Sequence, residues 1–176
     1  MALEFKIAST KEEIDQALNL REVKETDEFD FLPVTTHFLA VRDGKPVGTV
    51  RLTEDSEKGL PIEDLTDLSK FRKPGKKLAK ASKLFILSGY SSGGRTMLGL
   101  FKLVYRYAKK KGITDLYVTS NEAALPIFEK LNFEKIGEAH FYDKFNVLVT
   151  PLHLDLSKAT KKLKTERPRL FAYFNK

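Results

Sequence analysis

The chain has 176 residues, 41% hydrophobic and 31% charged, with 13 Phe, 6 Tyr and no Cys. That is one domain's worth of sequence, able to fold without staples, and it excludes disulfides, thiolate metal sites and cysteine nucleophiles. A net charge of +7 admits polyanionic partners, whereas three scattered histidines (His37, His140, His153) make no metal-ligand spacing and no apolar run reaches membrane-spanning length.

Residues Glu4 to Ala8 read as a strand, after a start, MALEFKIASTKEE, that lacks the basic-then-apolar pattern of a leader; a cytoplasmic location is expected. Ser9 or Thr10, with Glu12 and Glu13, opens a helix whose apolar positions Ile14, Ala17, Leu18 and Val23 recur at helical spacing. His37 to Arg42 and Pro46 to Thr53 flank Asp43-Gly44-Lys45 and predict a hairpin. A long polar excursion follows over Glu54 to Lys77, with one short helix expected at Ile62 to Phe71. Ser82 to Leu87 predicts a strand, Ser88 to Arg95 a glycine-rich loop, and Met97 to Ala108 an amphipathic helix stopped by Gly112. A strand (Asp115 to Thr119), a helix (Glu122 to Leu131) and two closing strands (Ile136 to Phe145, Val147 to Leu156) complete the domain. The strand, helix, strand crossover in the middle requires parallel central strands. Residues 157 to 176 form a basic extension, with seven Lys and Arg against Glu166 alone, so the first 156 residues carry only +1. A second basic run, free of acids, holds Lys70, Arg72, Lys73, Lys76, Lys77, Lys80 and Lys83.

The stretch from Asn121 to Phe133 resembles the late motif of the GNAT N-acyltransferase superfamily, N-x-x-A-x-x-x-Y-x-x-x-G-F. Asn121, Ala124 and Phe133 match; Phe128 replaces the tyrosine and Asn132 the glycine. Phe128 has no proton to give a leaving thiolate, whereas Asn132 still tolerates the left-handed conformation that ends a helix. The loop before the third helix is similar to the family's R/Q-x-x-G-x-G/A pattern, with Gly93 in register, Tyr90 in the Arg/Gln slot and Arg95 in the last small position. Element order follows the same family along nearly the whole chain. The resemblance implies an α/β fold, a three-layer α/β/α sandwich with a mixed central sheet and splayed fourth and fifth strands, as a single domain over residues 1–156. It also implies acetyl-CoA or acyl-CoA as co-substrate, with the pantetheine hydrogen-bonded to the strand edge Phe85, Ile86, Leu87 and Ser88. Ser92, Gly93, Gly94, Arg95 and Thr96 would hold the pyrophosphate at a helix N-terminus, and Asn121 and Phe128 would line the pantetheine arm.

A narrower resemblance is to the acyl-homoserine-lactone synthase and N-acyl amino acid synthase branch. It rests on Arg21, the stretch Asp27-Glu28-Phe29-Asp30-Phe31, and Gly48-Thr49-Val50-Arg51-Leu52 matching G-x-x-R-L. The branch's E-x-S-R slot reads Lys80-Ala81-Ser82-Lys83, so Ser82 is kept and the acid is not. Arg21, Asp30, Arg51 and Ser82 are the expected substrate-binding residues. Acyl transfer needs an oxyanion donor, expected from a backbone N–H near Leu87, and a proton route. Glu54, His37 and Tyr142 are the expected proton carriers, with Asp30, Asp55 and Glu57 as further carboxylates.

These readings converge on an enzyme, an N-acyltransferase moving an acetyl or longer acyl group from an acyl thioester to an amine, an amino acid among them. An acyl carrier protein is an alternative donor that would suit the basic surface, a homodimer is allowed, and no metal is called for. The competing reading is a catalytically inactive module of this fold docking nucleic acid or an acidic protein. Nucleic acid is disfavoured, because no aromatic-and-basic reading motif stands out.

Overall fold

The computed structural model describes residues 2–21, 26–91, 94–143 and 146–176. Eight strands and five helices alternate largely as expected, in two compact units: Met1–Thr53 with Ala81–Tyr107, and Glu54–Lys80 with Ala108–Lys176.

In the first unit β1 (Leu3–Ile7) pairs antiparallel with β2 (Thr35–Arg42), and β2 with β3 (Lys45–Glu54). The turn residues Asp43 and Gly44 both have positive φ, 52° and 74°, the geometry that matches the twist of a two-residue hairpin. Helix α1 (Lys11–Leu20) starts on a capping box in which Glu13 N–H donates to Thr10 Oγ1 and the Glu13 carboxylate accepts from Thr10 N–H. The Lys6 ammonium 2.7 Å away, with the N–H groups of Ser9 and Thr10, pulls the Glu13 carboxyl down to about 2. Ala17 of α1 packs with Ala8, Leu39 and Val41 on one face of the sheet. Helix α2 (Arg95–Lys110) covers the other face: the Tyr107 ring stands edge-on to Phe38, and Phe5 fills the space beside Gly99. This unit is therefore helix, sheet, helix, the layering the resemblance implies.

Strand β4 (Leu78–Ile86) contributes to both units. It begins four residues earlier than expected, because Leu78, Ala79 and Lys80 pair in parallel with Asp115, Leu116 and Tyr117 of β5 (Asp115–Asn121). That ladder ends at Lys80 and Tyr117. Within the second unit β5 runs antiparallel to β8 (Val147–Asp155), which also pairs with β6 (Glu134–Lys135) and β7 (His140–Tyr142).

Three expectations are corrected here. No helix forms over Ile62 to Phe71: a 3-10 turn at Ser69–Phe71 is all that is helical, because the Asp67 carboxylate accepts from Ser69 N–H (2.9 Å) and the Glu63 carboxylate from Leu60 N–H (2.7 Å), satisfying the backbone locally. Helix α3 runs Leu125–Lys130 instead of starting at Glu122, since the Asn121 side chain accepts from Ala124 N–H (2.9 Å) and closes a turn ahead of Pro126. Of the strand expected over Ile136 to Phe145 only β7 (His140–Tyr142) forms among the described residues; β6 precedes it, Ile136 lies against Pro151, which has no N–H to give a neighbouring strand, and Phe145 itself lies outside the described residues. The late motif's Asn132 has φ 68°, the left-handed slot its side chain tolerates.

The basic extension is helical: α4 (Leu156–Glu166) buries Leu156, Ala159 and Leu163, and α5 (Pro168–Asn175) buries Phe174. Among the described residues no helix is long and apolar enough to cross a membrane.

Candidate active site

The strongest concentration of buried charge lies in the first unit. Arg21 caps the C-terminus of α1; Asp27 and Asp30 sit on a 3-10 turn (Glu28–Phe31); Arg51 comes from β3, His37 from β2 and Ser82 from β4. Four of the expected residues, Arg21, Asp30, Arg51 and Ser82, meet here with His37. Arg51 is 1% exposed and fully engaged: Nη1 contacts Asp27 (2.5 Å) and Asp30 (3.0 Å), Nη2 donates to Asp27 (3.3 Å), and Nε donates to Ser82 Oγ (3.1 Å). Arg21 is 3% exposed and gives Nη2 to Asp30 Oδ1 at 2.8 Å; its Nε and Nη1 are buried and have no hydrogen-bond partner among the described residues. Burial works to raise the Asp30 pKa, but Asp27 N–H and the two guanidinium groups outweigh it and hold the carboxyl below its ordinary value.

His37 belongs to the same cluster. Its Nε2–H donates to the Asp30 carbonyl at 3.0 Å, which leaves Nδ1 as a buried lone pair without a partner. Burial pushes the imidazole pKa down, so the ring is neutral at pH 7. Lys83 stands 3.7 Å from Asp27 and has a positive φ of 56° inside β4, a conformation bulky residues seldom adopt.

The strand edge and its loop come next. Leu87 N–H donates to Val47 O (2.9 Å), Tyr90 N–H to Leu87 O (3.0 Å), and Thr96 Oγ1 to Tyr90 O (2.7 Å). Of the backbone N–H groups near Leu87, that of Leu87 itself is therefore already bonded to β3. Gly48 of the G-x-x-R-L stretch brings these parts close, since a Cβ there would sit 3.1 Å from Thr96 Cγ2 and 3.3 Å from the Phe85 carbonyl. Phe85 and Ile86 end β4, Ser88 follows it, and Gly94, with φ 68°, precedes α2, whose first residues are Arg95 and Thr96. Ser92 and Gly93 lie outside the described residues.

The second unit holds the other expected residues. Glu54 pairs with Lys77 at 2.9 Å, Asn121 spends its side-chain oxygen on Ala124 N–H, and Tyr142 on β7 is 42% exposed. Phe128 is buried, its ring edge-on to Phe133 at 5.3 Å, a packing role that needs no hydroxyl. Sequence reasoning missed a side-chain pair built on the buried Asp115. His153 Nε2 lies 2.7 Å from Asp115 Oδ1, with Thr114 Oγ1 and Lys76 Nζ on Oδ2 at 2.5 and 3.2 Å. Burial raises the Asp115 carboxyl, and these partners more than reverse it. The two strands' register, with Tyr117 opposite His153, carried the signal, but register is not readable from either strand alone.

Comparison with known proteins adds the context. A family profile described as N-acyl amino acid synthase FeeM matches residues 15–155. Among solved structures, FeeM, an N-acyl amino acid synthase from uncultured soil microbes, is similar at 23% identity and TM-score 0.79, covering 91% of this chain and 94% of that one. BjaI, a CoA-dependent acyl-homoserine lactone synthase solved with SAM and isopentyl-CoA, is similar at 18% identity and TM-score 0.69, covering 99% of both chains. An acyl-CoA N-acyltransferase from Pseudomonas aeruginosa is similar at 18% identity and TM-score 0.64, covering 86% of this chain and 99% of that one. No curated protein sequence matches. The fold is that of the acyl-CoA N-acyltransferases, with an eight-stranded mixed sheet.

Proposed function

Because the chain belongs to the FeeM family of N-acyl amino acid synthases, N-acyltransferases that act on an amine or amino acid, we propose that its acceptor is an amino acid held through the carboxylate by Arg21. The observation that carries this reading is the pair of buried guanidinium N–H groups, Nε and Nη1, that meet no partner among the described residues. Each is a buried charged donor that a carboxylate oxygen can meet, beside the Nη2 that already holds Asp30. Arg51, the other expected anchor, has every nitrogen committed to Asp27, Asp30 and Ser82, and acts by holding the cluster together.

The reaction joins the acceptor nitrogen to the thioester carbonyl carbon. As the C–N bond forms the carbonyl oxygen gains charge; the nitrogen then loses a proton, the C–S bond breaks, and the thiolate leaves and is protonated. Of the expected proton carriers, Glu54 is tied to Lys77. His37 is neutral, has an unpartnered Nδ1 and shares the Arg21 cluster, so we assign it the amine proton. Phe128 offers no acid, which leaves the thiolate to solvent or to Tyr142. The donor we propose is an acyl-CoA, and the setting the cytoplasm, which supplies thioesters and free amino acids together.

The test is a steady-state assay with octanoyl-CoA and a panel of amino acids and their decarboxylated amines. Wild-type protein is expected to acylate amino acids in preference to the amines. Arg21→Gln is expected to raise the amino acid KM about tenfold or more with a smaller change in kcat, removing that preference. Equal use of amino acid and amine by the wild type would overturn the assignment.

A further inference from the structure

The two helices that follow β8 each bury one face and leave the opposite face cationic. On α4 the buried residues are Leu156, Ala159 and Leu163, while Lys158, Lys161 and Lys162 share the other side and are exposed. On α5 Phe174 is buried, and Arg169, Tyr173 and Lys176, spaced i, i+4 and i+7, are exposed together. Residues 156–176 carry seven cations against Glu166 alone, and no side chain of the seven meets a carboxylate among the described residues. The pair of helices is firmly mounted. Asp155 caps α4 by accepting from Lys158 N–H (3.0 Å), Leu156 N–H donates to Thr114 O (3.0 Å), and Lys109 Nζ donates to Asn175 Oδ1 at the end of α5 (3.1 Å).

Uncompensated charge of this kind draws a polyanion, and the exposed ring selects which one. Tyr173 is 38% exposed between Arg169 and Lys176. A phenol flanked by cations suits the boundary of a bilayer: the ring settles among the headgroups with its hydroxyl in water, and the long basic side chains reach lipid phosphates and carboxylates. A single-stranded polynucleotide is held instead on a series of rings along a groove, and α4 and α5 expose no large apolar side chain besides Tyr173. We propose that α4 and α5 form a docking face for an anionic lipid bilayer. Because their apolar faces are turned into the domain, the contact is peripheral, made by charge and one shallow ring with no helix inserted. The proposal stands on this surface alone and is independent of which donor and acceptor the enzyme uses.

Co-sedimentation of the full chain with vesicles tests it, using phosphatidylcholine alone and phosphatidylcholine with about one-third phosphatidylserine. The wild type is expected to bind the anionic vesicles about tenfold or more tightly than the neutral ones, and to lose that preference as salt is raised. Lys158→Glu, Lys161→Glu and Lys162→Glu combined should reduce binding to the neutral-vesicle level. Tyr173→Ser should weaken binding about threefold while keeping the salt dependence. All four positions are exposed, and thermal melts check that the variants are folded. Equal binding to both vesicles, or undiminished binding by the folded triple variant, would overturn the proposal. So would an unchanged Tyr173→Ser, or tighter binding of a single-stranded polynucleotide or an acidic carrier protein at the same salt, which would assign the face to that partner.

Discussion

Arg21 and Arg51 are the same residue type on neighbouring elements, yet only one has donors to spare, and that difference sets what each can do. The resemblance to the synthase branch marked both as expected substrate-binding residues. It could not say which guanidinium would be used up, because that depends on Asp27 and Ser82 arriving from a turn and a strand. His37 carries the pH dependence of the cluster. Its folded-state pKa is lowered by burial, so the unfolded chain takes up the proton first; the stability it contributes is full above the unfolded value of about 6.5 and is lost as pH falls through the folded one. Asp30 and Asp115, also lowered, are lost only further down, below the ordinary carboxylate range near 4. Thermal midpoints of the wild type are therefore expected to fall between pH 7 and 5.5. His37→Gln, less stable at pH 7, should be flat across that window; a parallel fall in the variant would assign the effect to another group.

Elements whose apolar residues repeat cleanly, such as α2 and the β2–β3 hairpin, were legible to within a residue or two. The misread ones share a cause: a side chain takes over a backbone group. Asp67 and Glu63 do so in the long excursion and Asn121 ahead of α3, while Pro151 withholds an N–H beside β6 and β7. The beginning of β4 was hidden by its lysines, of which Lys80 is nonetheless buried. Packing of α2 on its sheet depends on Gly99, since a Cβ at that position would overlap the Phe5 ring. Gly99→Ala should gain helix propensity of about 1 kcal/mol yet lose about 1–3 kcal/mol to overpacking. A net loss in chemical denaturation is expected, reversed when Phe5→Leu is added; a stabilised single variant would show that the ring moves aside freely.

At the scale of the whole molecule, element order was the most legible feature, since alternating strand and helix patterns survive even where boundaries slip. The division into two compact units was not legible, because such boundaries announce themselves as Pro, Gly or Ser-rich linkers and none marks them here. The chain passes between units at 53/54, 80/81 and 107/108, inside β3, β4 and α2. A protease needs a stretch of backbone that can leave its hydrogen bonds and enter a cleft, and these three passages offer none. Limited trypsin digestion should make its first cuts at exposed basic sites in turns, such as Lys58, and should not yield fragments ending at the unit boundaries. Strand β4 thus makes the two halves inseparable by scission: a bond cut there breaks a shared part, and neither half is a piece that could be traded whole between proteins.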